Sequence, residues 1–116
     1  MAIAEAFNGS ATIGTTEYDL PSNSTTVSTQ TSDGIYQLYI DLNNLTATEE
    51  YRLRIYEKVR SSDIQRVVQE VIFSGAQTTE PVYVTPSLLF LHGWTFTLRK
   101  NQGTDRSIAW SIRSVA

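Results

Sequence analysis

The chain has no cysteine, one histidine, one methionine and three prolines among 116 residues. Without cysteine there can be no disulfide scaffold, no thiol catalysis and no cysteine metal site. A single imidazole, His92, cannot build a histidine metal cluster or a two-histidine mechanism. Charge is sparse too, with 18% Asp, Glu, Lys and Arg against roughly 25% in ordinary globular chains. A net charge of −3 argues against a dedicated nucleic-acid binder. The longest near-continuous apolar run, Ser87-Leu88-Leu89-Phe90-Leu91-His92, falls far short of the roughly 20 residues of a membrane helix. The start, Met1-Ala2-Ile3-Ala4-Glu5, has neither the basic nor the apolar stretch of a signal peptide. Gly34, Gly75, Gly93 and Gly103 stand isolated, so no phosphate-cradling loop is expected.

Lys and Arg are absent from residues 1–50, which carry seven acidic residues and a formal charge of −7. Residues 51–116 hold all nine basic residues against five acidic ones, for +4. Either acidic and basic strands face each other inside one domain, or the halves complement another copy or an oppositely charged lattice.

What the chain does have is hydroxyls and alternation. It is 41% hydrophobic, enough for a core, and Ser and Thr together make 27 residues. Tyr36-Leu38-Ile40-Leu42, Tyr51-Leu53-Ile55, Trp94-Phe96-Leu98 and Ile108-Trp110-Ile112 each place a large apolar residue at every second position. Period two puts one face in a core and the other in water, as antiparallel strands do. Turn-forming clusters separate the runs, at Asn8-Gly9-Ser10, Pro21–Ser24, Ser32-Asp33-Gly34, Asn43-Asn44, Arg60–Asp63 and Asn101–Asp105. The last of these reads as the loop of a C-terminal hairpin between the two Trp-containing strands. The reading is an all-β, single-domain antiparallel β-sandwich of seven to nine strands spanning residues 1–116, jelly-roll or immunoglobulin-like.

Two stretches are less plain. Ile64, Val67, Val68, Val71 and Ile72 fit the helical spacing i, i+3, i+4, i+7, i+8. Their β-branching and their strand neighbours favour a strand, with one amphipathic helix as the alternative. Ser22–Ser32 is almost wholly Ser, Thr and Asn and reads as an edge strand or loop. Residues 1–10 are a candidate N-terminal arm, with Ala2–Phe7 ordered by a partner.

The catalytic inventory is thin. There is no Gly-x-Ser-x-Gly elbow, and His92 in Leu91-His92-Gly93-Trp94 reads as structural. Glu49 and Glu50 point to opposite faces of a strand, and no Asp-x-Asp-x-Asp calcium run exists. Glu57 and Glu70 could meet across a 51–58/64–73 hairpin, where a solvated cross-strand charge set is the plainer meaning. No catalysis, cofactor or metal is expected. Tyr39 and Tyr56 oppose the core faces, where exposed rings could stack sugars or anchor an interface, while Trp94 and Trp110 take core positions.

As a set, several segments carry a resemblance. They are Gly14–Leu20, Asp33–Leu42, Glu50–Val59, Leu91–Trp94 and Ser107–Arg113. Together they resemble small virion-associated proteins of tailed bacteriophages, and within that group the capsid decoration, or cement, proteins. The resemblance is diffuse and has no residue-level site pattern. It implies a β-sandwich or β-tulip-like fold on the outer capsid surface, bound to the major capsid protein and stabilising the shell by bridging its subunits. It also implies binding as trimers at three-fold and quasi-three-fold positions in many such proteins, or as single copies at capsomer junctions, so that self-association, as a homotrimer, is expected. Charge and the short apolar runs predict no nucleic-acid or membrane partner. Charge segregation nominates Ala2, Ile3, Glu5, Phe7, Glu17 and Tyr18 as capsid-facing, and Arg99, Lys100 and Arg106 as contacts with a neighbour. The rival expectations are a carbohydrate-binding or host-surface adhesion module and a tail or head–tail connector component.

Overall fold

A computed structural model describes residues 2–115. Every alternating run named above forms a strand with its large residues inside, Leu42 alone lying just past the end of its strand but buried with the rest. Strand β3 (Gly34–Asp41) buries Tyr36, Leu38 and Ile40, and β4 (Glu50–Glu57) buries Tyr51, Leu53 and Ile55. Strand β8 (Trp94–Gln102) buries Trp94, Phe96 and Leu98, and β9 (Arg106–Val115) buries Ile108, Trp110 and Ile112. The remaining strands are β1 (Ile3–Ile13), β2 (Tyr18–Asp19), β5 (Arg66–Ser74), β6 (Val82–Val84) and β7 (Leu88–Phe90). All nine pair antiparallel, in two sheets. The first, sheet A, runs β1-β9-β3-β6, with β7 continuing the edge beside β3; the second, sheet B, runs β2-β8-β4-β5.

The order has a simple logic. β1 pairs β9, β2 pairs β8, β3 pairs β6 and β7, and β4 pairs β5. The chain is thus one long antiparallel ribbon, doubled back at the β4–β5 hairpin and wound so that successive ribbon segments alternate between sheets. That is a jelly roll, which decides between the two sandwich types expected. Its interior is filled by aromatic and aliphatic side chains: Phe90 stacks on Trp94 at 4.7 Å, and Tyr36 lies 4.4 Å from the same indole.

Residues 66–74 are a strand, not a helix, and the hairpin with β4 forms. Glu57 and Glu70 do not meet across it, because the register sets Glu57 against Arg66 and Glu70 against Arg54. Two other expectations need correction. The N-terminal segment is no partner-ordered arm: residues 3–13 pair with β9 from Ile3↔Val115 to Ile13↔Arg106, with one bulge between Glu5 and Phe7. Met1, at the start of the expected arm, lies outside the described residues.

The C-terminal strands depart from expectation as well. β8 and β9 are not a hairpin but lie in different sheets, their apolar faces meeting across the core. Alternation looks the same whether two strands sit side by side or face to face, so it could not separate the cases. The crossing is built locally. Gly103 has φ +95°, and a Cβ there would lie 2.8 Å from Glu49 Cγ and 2.9 Å from the Thr48 carbonyl oxygen. The Tyr51 hydroxyl donates to the Thr104 carbonyl at 3.0 Å and accepts from the Arg106 amide at 2.8 Å.

Candidate interaction surfaces

Three carboxylates sit where a reactive group would be sought, and each is tied into structure. Asp19, fully buried, accepts five hydrogen bonds: the amides and hydroxyls of Ser22 and Ser28, and the Thr95 hydroxyl. It therefore gathers the Ser/Thr-rich stretch into a loop over the outer side of β8. Gln30, exchanging two backbone hydrogen bonds with Trp94, fixes the far end. Glu49 accepts from the Thr46 amide at 2.7 Å, the Thr46 hydroxyl and the Arg106 guanidinium at 2.9 Å. The Arg106 hydrogen bond is the main cause that holds its carboxyl down at about 2, with burial opposing and the Thr46 bonds assisting. Glu17 Oε2 accepts from the hydroxyls of Tyr56 and Thr97. Among the described residues no group of three or more His, Asp or Glu could hold a metal ion.

Unengaged chemistry lies on the outer faces. On sheet A the register aligns Ile3, Val115, Ile35 and Leu89 in one row across four strands. Ile3 is 75% exposed and Leu89 79%. Val84 and Val82 continue the apolar surface down the β6 edge. Beside the row a shallow groove of about 220 Å³ is lined by Ile3, Ile35, Val115, Tyr39 and Arg113. The Arg113 guanidinium lies 3.7 Å over the Tyr39 ring, and no carboxylate stands within ion-pair distance of it among the described residues. Glu5, opposite Arg113 in register, instead accepts from Asn8 and Ser111.

A second apolar patch lies on the other side of the sandwich. Strand β5 is the edge of sheet B opposite β2 and leaves Val67, Val68 and Ile72 exposed. The hairpin tip adds Val59, 78% exposed, and Ile64, 70%. Opposite Ile55 and Tyr56 of β4, strand β5 carries one extra residue, Val68, as a bulge in the edge strand, a device that discourages edge-to-edge strand addition. Beside this patch Arg52 and Arg99 face each other across β4 and β8, with Glu70 3.9 Å from Arg52.

The nine candidate residues fall in separate places. Ala2, Ile3 and Glu5 lie exposed on or beside the outer face of sheet A. Phe7 points inward, edge-on to Trp94 at 6.2 Å. Tyr18 packs edge-on to Trp110 and donates to Asn23. Glu17 is held by Tyr56 and Thr97. Lys100 pairs with Asp105 at 2.5 Å and Arg106 with Glu49, while Arg99 is half-buried on sheet B. The two exposed-aromatic candidates are occupied as well, Tyr39 by Arg113 on one ring face and Tyr56 by Glu17. Missed were Ile35, Leu89, Val115 and Arg113. Ile35 had a legible signal, since it occupies the outward phase of β3, where Gln37 and Asp41 are polar. The fold and surfaces define the class as a jelly-roll β-sandwich with two separate exposed apolar patches. Compared with models of protein families and with curated proteins, the chain matches none.

Proposed function

We propose that this protein is a non-enzymatic structural component of a virion. In this reading it decorates the outer surface of a bacteriophage capsid and stabilises the shell by bridging subunits of the major capsid protein. The observation that carries the reading is the pair of apolar patches on opposite faces of a body only 20 Å across its shortest axis. A bridging protein needs two contact surfaces on a rigid core, and a solitary domain gains nothing from leaving both in water. Once one patch is seated, the other binds at a high effective concentration, so two modest contacts hold a shell seam that neither would hold alone. The resemblance to decoration proteins points the same way. A jelly roll is shared by capsid and lectin domains, so the fold alone does not choose between shell binding and glycan binding. The engagement of Tyr39 and Tyr56 within the chain weighs against a sugar-stacking platform.

The test is copy number in purified particles, by quantitative mass spectrometry against the major shell protein. A ratio near one per shell subunit, or one per three, is expected. A few copies per particle would move the protein to the connector or tail, and absence from particles would overturn the virion reading.

A further inference from the structure

We infer that the outer face of sheet A is a self-association surface, on which two copies of this chain pack face to face about a two-fold axis. The inference concerns the chain alone and stands whether or not the virion reading holds. Where that reading holds, the pair takes the place of the single body, with sheet A covered and one sheet B patch outward on each side as the two shell contacts.

The row Ile3–Val115–Ile35–Leu89 is symmetric in character about its middle: aliphatic side chains sit on both outer strands and on both inner ones. A two-fold axis between the copies, parallel to the strands and midway between β9 and β3, exchanges the columns and keeps the rows. It lays Ile3 over Leu89 of the second copy and Val115 over Ile35, each contact occurring twice, as an isologous interface requires. Four exposed or half-exposed aliphatic residues per copy are covered by their own kind.

Charge fits the same arrangement. Two rows along, Arg113 comes over Gln37 of the second copy. The Gln37 amide nitrogen donates to the Thr85 carbonyl at 2.9 Å, which leaves its oxygen as an acceptor for a guanidinium. Glu5 faces the kink between β6 and β7, and Asp41 faces Ala109, so no carboxylate meets a carboxylate. The arginines stand apart across the axis. Sheets packed face to face sit about 10 Å apart with strands within about 30° of each other, the geometry this axis produces.

Area sets the strength. Four strands spaced about 4.8 Å, over about 24 Å of strand, give roughly 450 Å² of face per copy and roughly 900 Å² in all. That lies below the usual range for stable complexes, about 1,200–2,000 Å², so a weak, reversible dimer is expected rather than an obligate one.

Sedimentation of the intact chain from about 1 to about 100 µM tests the inference. A monomer–dimer equilibrium is expected. Leu89→Asp and Ile35→Asp should each weaken it at least about tenfold, because every dimer then buries two new carboxylates against aliphatic surface. Ile72→Asp, on the opposite sheet, should leave the dimer constant unchanged. Leu89 and Ile72 are exposed, and a thermal melt establishes that each variant is folded. A monomer at every concentration, a trimer, a dimer indifferent to both sheet A substitutions, or one lost with Ile72→Asp would each overturn the inference. None of these results bears on copy number in particles.

Discussion

Asp19 is where a single side chain organises most. Both of its oxygens accept a backbone amide, Oδ2 from Ser22 and Oδ1 from Ser28. Asp19→Asn therefore turns an amide NH₂ against a backbone N–H in either orientation, and the substitution should cost about 2 kcal/mol in chemical denaturation. Asp19→Ser, with a hydroxyl too short to span both amides, should do no better. Glu49 gives a prediction in pH. Its carboxyl is held at about 2, against an ordinary 4.5, mainly by Arg106. A lowered value in the folded chain means stability that is complete above pH 4.5 and is lost as pH falls toward 2. Equilibrium unfolding across that window should show a steeper loss in the natural chain than in Glu49→Gln, which has no proton to take up there.

At the scale of elements, the crossing from β8 to β9 is the most constrained connection. Gly103 combines a left-handed backbone with close approach to Glu49 and Thr48. Gly103→Ala meets both penalties and should lower stability by roughly 2 kcal/mol or more, read as a lower denaturation midpoint at unchanged slope. Tyr51→Phe tests the same joint from the other side. It leaves the Thr104 carbonyl and the Arg106 amide without their hydroxyl partner, and should cost about 1–2 kcal/mol. The charge segregation between halves also resolves here. The ribbon lays residues 1–50 against the later strands, yet Glu49–Arg106 is the only ion pair joining the halves among the described residues. The acidic excess of the first half is carried instead by hydroxyl and amide donors, around Asp19, Glu17 and Glu5, which is what the abundant Ser and Thr supply.

For the whole molecule, the ribbon joins the two ends of the chain first to last, with Ile3 opposite Val115. Such non-local pairing must close long loops before it gains contacts, so refolding by stopped-flow should fall in the millisecond-to-second range, slower than a helical chain of this length. Loss of residues 2–7 would strip part of the sheet A edge, including Ile3, and should reduce self-association along with any shell contact made there.

Much of this was legible beforehand. Period-two alternation in the runs at 36–42, 51–55, 94–98 and 108–112 identifies most of the buried set, including both tryptophans, while Ile13, Leu20, Leu45, Phe73 and Phe90 join the core from outside those runs. A pleated backbone leaves no other way to bury such a pattern. The β-branched cluster at 67–72 reads as a strand for a related reason, since its side chains suit an extended edge better than a helix. Alternation reports which face of a strand is covered and never which strand lies beside it. Hence the β8–β9 connection read as a hairpin, residues 2–7 read as an arm, and the row Ile3–Val115–Ile35–Leu89 stayed invisible. Its four members come from positions 3, 35, 89 and 115, and only the register of four paired strands brings them to one line. Composition and alternation are enough for an all-β core and exclude cysteine chemistry. The jelly-roll winding, the burial of Asp19 and Glu49 and the composition of the outer faces arise only in the folded chain, because all three depend on pairings between residues far apart in sequence.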